Sequence, residues 1–520
     1  MSEPVPRNPG APAAPGEAPP GAGGAATSYD ALPYGSRALR ETHPSRLAAI
    51  ALLFGVEAPP PGTARVLELG CAEGGNLLPM AASAPGATFV GVDLSPRQVA
   101  AGESLREAAG LGNASFLLAD VASLGPGIGT FDYVIAHGLF SWIPEAAAEA
   151  LLGLVAKVLS PNGVAYVSYN TYPGWHLRGL VRDLLLRGTA GAADPADRLA
   201  RARDLLAFVS ANCGDRTAAY GAALHDVAGQ FARLEDAYLF HEWLEPENRP
   251  FWFLDFAARA ARHGLEPLAD AHLAAMPMGR VKPDVDDLLS SRASSRLEKE
   301  ELLDVLRNRA FRQTLLVRAP GPGREEPDPA ALGRLWFTSD LSPAPGDGPG
   351  ETFRSPAASL STNNPALVAA LRALHEAAPG ALPLRALAAG PAQELPDALL
   401  RCLASGLVEA RTDDAPWATS AGPAPLATPL ARLQAGGGGA VTSLSHRNVD
   451  LDPSGRLLLA ELDGRPRAEV VTSLARRLVE ARLLATPGGL APSDEDARGA
   501  VEGHLDDALA ALARRALLLR

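Results

Sequence analysis

Five short runs rich in apolar and β-branched residues, RVLELG (65–70), TFVGVDLS (88–95), ASFLLAD (114–120), FDYVIAHG (131–138) and GVAYVSYN (163–170), are separated by stretches of helical periodicity. Each strand must then be reached through a crossover helix, so the alternation predicts a parallel sheet with helices on both faces. After Trp175 the strands stop. LRGLVRDLLLRG (177–188), PADRLARARDLLAFVSAN (195–212) and AALHDVAGQFARLEDAYLF (222–240) carry apolar residues at helical spacing and predict a helical insertion. The earlier rhythm resumes with helix FWFLDFAARAARHG (251–264), closed by Gly264, strand LEPLADAHL (265–273), helix SRLEKEELLDVLRNRAF (295–311) and strand RQTLLVRA (312–319). These two strands bring the expected sheet to seven.

The 520 residues exceed one core, and at about 100 to 200 residues per domain they divide into three or four modules. Residues 1–26 are mostly Pro, Gly and Ala, too poor in apolar surface to offset ordering entropy, and are expected to form a disordered tail. A Rossmann-like core is expected at 27–175, the helical insertion at 176–244 and the completion of the sheet at 245–319. Beyond the turn-rich PGPGREEPDPAA, the segments PALVAALRALHEA, LPLRALAA, LPDALLRCLASG and LVEARTD read as helix, helix, helix and strand, a winged-helix-like order over 320–425. The glycines of QAGGGGA mark another joint, and 440–520 reads as a small helical or winged-helix-like unit.

The formal charge of -12 lacks the basic excess of a duplex-binding surface, so nucleic acid is disfavoured as a partner. Cys71, Cys213 and Cys402 lie far apart, which suggests no metal site and no disulfide framework, and fits a reducing cytoplasm. The N-terminus shows no signal-peptide pattern, and the longest apolar run, LAAIALLFGV from Leu47, is too short to span a bilayer. A soluble chain without a membrane anchor is expected.

In ELGCAEGG, Gly70 and Gly74 let the backbone approach a ligand and then start a helix, as a nucleoside requires, although a tight turn alone would use the same glycines. The acids favour a ligand. Asp93, at the end of the second strand, is placed to accept both hydroxyls of a ribose. Ala72 replaces the middle glycine of GxGxxG, and Asp120 adds a third acid where an adenine amino group would lie, which favours S-adenosylmethionine (AdoMet) over a dinucleotide. The spacing of Glu68, Gly70, Gly74, Asp93 and Asp120 resembles the AdoMet site of class I methyltransferases. That resemblance implies a cofactor-binding set of Glu68, Gly70, Cys71, Gly74, Asn76, Asp93, Leu94, Asp120, Val121 and His137. The side chain of Cys71 reads as a small packing residue rather than a nucleophile, and Asn76 reads equally as a helix-start residue or a contact.

Longer strings narrow the likeness: SYDALPYGSRALRETHPSRLAAIALLFG, FDYVIAHGLFSWIP, VSYNTYPGWHLRGLVRDLL, YLFHEWLEPENRPFWFLDFAARAARHGL and LRNRAFRQTLL, together spanning roughly 28–318. They resemble the bacterial methyltransferases with a methyltransferase regulatory domain, a group that includes the rickettsial protein lysine methyltransferases. The resemblance implies a seven-stranded class I methyltransferase domain with a helical insertion, followed by winged-helix-like modules, and helices used to form a homodimer. The stretch from about Tyr220 to Leu302 holds a strand that by pattern belongs to the catalytic sheet.

Methyl transfer from a sulfonium is an in-line displacement, so a neutral nucleophile must be held opposite the sulfur with water excluded. Ligands of open α/β sheets sit beyond the carboxyl ends of the strands, which points to His137, Tyr169, Asn170 and Tyr172, with Trp142, Trp175 and His176 on the following segments. SYDALPYG is expected to fold over the cofactor as a lid, with Tyr29 and Tyr34 toward the methyl and His43 bracing it. The catalytic set is therefore Tyr29, Tyr34, His137, Trp142 and Asn170. The tryptophans also suit simple packing, and His241 a structural role.

Three functions fit. Protein N-methylation on lysine is favoured through the family resemblance; a small-molecule acceptor and a catalytically silent AdoMet-binding scaffold are the alternatives. AHGLFSWIP lacks the N/D-P-P-Y/F end of adenine and glutamine-amide methyltransferases, and scattered cysteines exclude a radical AdoMet cluster.

Overall fold

The computed structural model describes residues 30, 32, 35–213, 218–277, 283–321, 323–346, 350–387, 394–485 and 491–520. The expected tail, 1–26, lies outside them. Seven strands, β1 (Arg65–Leu69), β2 (Thr88–Asp93), β3 (Ala114–Leu118), β4 (Phe131–Ala136), β5 (Leu159–Asn170), β6 (Leu265–Asp270) and β7 (Phe311–Arg318), form one sheet in the order β3-β2-β1-β4-β5-β7-β6. β4 is buried at five of its six positions, as expected of a strand covered on both faces.

One expectation is corrected. The sheet is mixed rather than wholly parallel, because β7 runs antiparallel to both β5 and β6. After β6 the chain forms helices Pro283–Arg292 and Arg296–Arg307, and Asn308 turns it in the left-handed region (φ +48°), so that Phe311 enters opposite Asn170 at the carboxyl end of β5. An apolar strand reads the same in either direction, so periodicity carries no sign of this reversal.

Helices Pro44–Leu53 and Leu77–Ser83 cover one face through Leu47, Ile50, Leu77 and Leu78, and helices Glu145–Val158 and Phe253–Arg262 the other through Leu151, Val155 and Phe256. The insertion is four helices, Trp175–Gly188, Pro195–Asn212, Ala219–Phe231 and Asp236–Trp243, around their own cluster of Leu185, Leu206, Leu224 and Trp243.

The middle region departs from the sequence pattern in two ways. LPLRALAA begins not as a helix but as the strand Leu382–Pro383, which pairs with Trp336–Thr338; Pro383 sits at this edge, where no donor is needed. The region also shares a core with the catalytic domain, since Leu332, Phe337, Leu371 and Leu399 join Leu47 and Ile50 in one apolar cluster. The C-terminal region packs helices Pro429–Gly436, Pro453–Ala460, Arg467–Glu480 and Asp494–Arg514 around Leu459, Leu474 and Leu509, with a small hairpin of Val441–Thr442 and Asn448–Val449.

Candidate active site

β1 and β4 are neighbours from which the chain departs to opposite sides, the switch point where open α/β sheets bind ligands. Here Gly70 N and Cys71 N both donate to Val92 O, at 2.8 and 3.1 Å, folding the end of β1 against β2. Gly70 (φ +74°), Ala72 (φ +48°) and Gly74 (φ +79°) all take left-handed conformations. For Ala72 this costs about 1 kcal/mol, and Asp93 holds it there by accepting from Ala72 N at 2.8 Å. Cys71 is buried, its thiol pushed to higher pKa by burial, consistent with packing rather than nucleophilic chemistry.

Gly74 answers to a different constraint. A Cβ there would lie 2.4 Å from Phe116 Cζ, so its bareness lets helix Leu77–Ser83 approach β3. Gly74→Ala adds this clash to backbone strain and is expected to destabilise the fold by about 1–3 kcal/mol, measurable as a lower denaturant midpoint.

The three acids line up at neighbouring strand ends. Glu68 is buried on β1; Asn76 Nδ2 donates to its Oε1 at 2.7 Å, while its Oε2 is buried with no partner among the described residues. Burial is the main cause that pushes the Glu68 carboxyl up to about 8, with Asn76 opposing and Asp93 adding to it. Asp93 ends β2 and accepts from Ala72 N and Ser95 N (2.9 Å), one bond per oxygen, leaving a lone pair on each. Asp120 lies two residues beyond β3, is exposed, and caps a short helical turn by accepting from Ala122 N at 2.9 Å. Beside them Leu94 is 48% exposed and Val121 half-buried, an apolar surface next to the acids.

Asn76 is a junction that joins distant parts of the chain. Its Oδ1 accepts from Leu39 N (2.8 Å) and from His446 Nε2 (2.7 Å), and its Nδ2 donates to Thr42 Oγ1 (2.9 Å) as well as to Glu68. His446 sits in the C-terminal hairpin with φ +59°, and burial lowers its pKa to about 3, so it is neutral and donates through Nε2. Asn448 bonds both Ala38 N and Ala38 O, tying the same hairpin to the N-terminal segment. These contacts were missed by sequence reasoning, and no spacing pattern links positions 370 residues apart. His446→Ala is expected to weaken AdoMet binding several-fold, the worth of about one neutral hydrogen bond, checked by equilibrium titration.

Toward the expected acceptor side, His137 Nδ1 lies 2.9 Å from Tyr166 Oη, with Phe311 edge-on at 5.8 Å. Burial lowers the His137 pKa to about 4, so the ring is neutral and a weak base. Asn170 is buried at the end of β5; its backbone N donates to Ser141 Oγ (2.9 Å), and its Nδ2 has no partner among the described residues. Trp142 and the buried Trp175 meet edge to face at 6.2 Å, and Tyr172 stacks on His176 at 4.3 Å beside Trp252. Tyr169 points elsewhere, into the core, with its hydroxyl 3.0 Å from Thr314 Oγ1.

Tyr29 and Tyr34 lie outside the described residues. Their neighbours cross the site: Asp30 Oδ1 accepts from Ser95 Oγ at 2.5 Å, Ser36 Oγ accepts from Gly75 N at 2.7 Å, and Leu32 O lies 2.6 Å from His241 Nε2. His241 Nδ1 lies 2.7 Å from Glu245 Oε1, so this histidine fastens the helical insertion to the segment. His43 caps helix Pro44–Leu53 by accepting from Ser45 N and meets His446 edge-on at 5.4 Å.

The residues present fit AdoMet. The unpartnered Glu68 Oε2 offers a buried acceptor for an ammonium once the carboxyl gives up its proton, Asp93 retains a lone pair on each oxygen for two hydroxyls, and Leu94 and Val121 offer apolar cover for a purine.

Three family models match the chain: a methyltransferase domain over 66–163, a predicted methyltransferase regulatory domain over 235–318, and a PKMT C-terminal winged helix domain over 424–517. The uncharacterised protein RP028 of Rickettsia prowazekii is 32% identical over 235 residues, covering 45% of this chain and 94% of that protein. RP789 of the same organism is 38% identical over 288 residues, 55% of this chain; the chain spans about half of that protein's length (52%). A trans-aconitate 2-methyltransferase of Methylobacterium radiotolerans is 32% identical over 216 residues, covering 39% of this chain and 80% of that one. In fold, the chain is similar to PKMT2 from Rickettsia typhi in complex with AdoHcy, with a TM-score of 0.82, 24% identity, and coverage of 94% of this chain and 100% of that one.

Proposed function

Because the chain belongs to the class I AdoMet-dependent methyltransferases that carry a methyltransferase regulatory domain, we propose that it methylates lysine side chains of a protein. The observation that carries the cofactor half is the alignment of Glu68, Asp93 and Asp120 at successive strand ends, with Glu68 Oε2 buried and unpartnered. The acceptor half draws on the match of residues 424–517 to the PKMT C-terminal winged helix domain.

When bound, AdoMet supplies an electrophilic methyl group. Glu68 is the residue to hold the amino-acid end, Asp93 the ribose, and Asp120 with Leu94 the adenine. Residues 35–42 lie against the cofactor turn through Ser36 on Gly75 and Leu39 on Asn76 and help to exclude water; the expected lid residues Tyr29 and Tyr34 lie outside the described residues. Trp142, braced edge to face by the buried Trp175, and the Tyr172–His176 stack present aromatic faces that attract an ammonium and, by excluding water, favour its neutral amine. His137 is too weak a base to take the proton of a lysine ammonium; it positions, through its bond to Tyr166, and Asn170 Nδ2 is a buried donor left unpartnered at the end of β5.

A homodimer through the helical insertion belongs to the same reading, supported by its exposed Leu177, Leu180, Phe208 and Tyr220. A cytoplasmic location accords with the three free cysteines, and no helix among the described residues is long and apolar enough to cross a membrane.

Binding is expected to depend on pH. The raised Glu68 pKa means the free protein holds that carboxyl protonated at pH 6 to 7, and pairing with an ammonium requires its loss. Affinity for AdoMet should therefore rise by roughly tenfold per pH unit from 6 toward 8, with proton release, and Glu68→Gln should flatten the profile. Calorimetry in buffers of different ionisation enthalpy checks both.

The acceptor is tested by incubating the purified chain with methyl-labelled AdoMet and bacterial protein, then mapping label by mass spectrometry. Label on lysine supports the proposal. A small-molecule acceptor is the second reading, favoured by the likeness to a trans-aconitate 2-methyltransferase, and label confined to the low-molecular-weight fraction would select it.

A further inference from the structure

Away from the AdoMet loop, a cavity of about 580 Å³ opens where the N-terminal segment, the middle region and the C-terminal region meet. Six guanidinium groups line it: Arg40 and Arg46 from the first, Arg411 from the second, and Arg447, Arg514 and Arg515 from the third. Only three carboxylates share that lining, Asp340, Glu409 and Asp450, in a chain whose total charge is -12. One of them is divided: Glu409 Oε1 serves both Arg40 and Arg447, and the surrounding arginines hold its carboxyl below the usual range although burial opposes this.

The other arginines are incompletely matched. Arg411 lies over Trp417 at 5.0 Å and reaches Asp413 with one nitrogen at 3.3 Å, but its Nε is buried without a partner among the described residues. Arg46 gives one nitrogen to Ala271 O at 3.1 Å, and its Nε is likewise buried and unpartnered. At the rim Arg514 and Arg515 are exposed, and the side-chain bond of Arg515 goes to a carbonyl, Asp450 O, at 3.1 Å. A buried guanidinium N–H without an acceptor is costly, and forked N–H groups facing a cavity match phosphate or carboxylate oxygens.

We propose that this interdomain cavity binds a small, multiply charged anion bearing phosphate or carboxylate groups. It would lie between three parts of the chain and bridge them, with its oxygens accepting from Arg46 and Arg411 inside and from Arg514 and Arg515 at the rim. The cavity is separate from the three acids of the cofactor site, so its occupancy does not require that AdoMet be the cofactor.

The test uses the full chain, with pyrophosphate and citrate titrated calorimetrically in the presence and absence of saturating AdoHcy. Saturable one-to-one binding in both conditions is expected, and the tighter of the two probes identifies phosphate or carboxylate as the preferred chemistry. Arg514→Gln with Arg515→Gln, both at the exposed rim, should weaken binding at least tenfold and leave thermal unfolding of the unliganded chain unchanged; Arg411→Gln should weaken it further. Absence of saturable binding by either probe at millimolar concentration, or equal binding by wild type and the rim variant, would overturn the assignment.

Discussion

Asp93→Ala is expected to weaken AdoMet binding at least a hundredfold while the chain remains folded. The carboxylate has two tasks. It holds Ala72 in a left-handed conformation and anchors Ser95 N, at 2.8 and 2.9 Å, and it keeps one lone pair per oxygen for ligand hydroxyls. Hydrogen bonds to a charged acceptor are worth about 1.5–3 kcal/mol each, so losing two, together with the anchored turn, reaches that factor. Burial raises the Asp93 pKa, showing that the fold sets this charge in a poorly solvated place where an uncharged replacement such as Asn would not restore the acceptor strength. Equilibrium dialysis with labelled AdoMet reads the loss, and a far-ultraviolet dichroism spectrum matching wild type separates it from unfolding.

The largest effect on stability is expected at Arg312, the first inward position of β7. Its guanidinium is 1% exposed, stacks on Phe253 at 3.5 Å, and meets Asp304 at 2.5 Å and Glu300 at 3.1 Å. Burial disfavours its charge, but Glu300, Tyr169 and Asp304 outweigh that and keep its pKa raised. Arg312→Met fills similar volume yet removes the counter-charge that Glu300 and Asp304 share, leaving them Arg296 at 2.6 Å and Arg309 at 3.4 Å, which costs about 3 kcal/mol. Chemical denaturation should show this as a lower midpoint. The pair beneath it, Tyr169 and Asn170, forms the tip of β5, so looser packing there should also disturb the acceptor side.

The elements that carry the cofactor reading are local in sequence. Glu68, Gly70 and Asp93 fall within 26 residues, and the β/α rhythm that places them survives small errors in strand ends: β3 stops at Leu118, two residues short of Asp120, yet the acid still lies beyond the strand tip. What was not legible depends on contacts between distant segments. The direction of β7 has no signature in its side chains. His446 meets Asn76 across 370 residues, and nothing in SLSHRNVD marks it as part of a cofactor loop. The middle region looked separable because PGPGREEPDPAA resembles a linker, whereas Leu332 and Phe337 pack into the cluster of helix Pro44–Leu53. Composition reports the flexibility of a connection but not the surface on which the next segment docks.

The central claim, that the carboxyl ends of β1, β2 and β3 form one AdoMet site, is tested most directly by titrating AdoHcy into the wild-type chain at pH 8 in a calorimeter. A single saturable site per chain, displaced by AdoMet, is the predicted result. A chain that is folded but gives no saturable heat with either compound would contradict it.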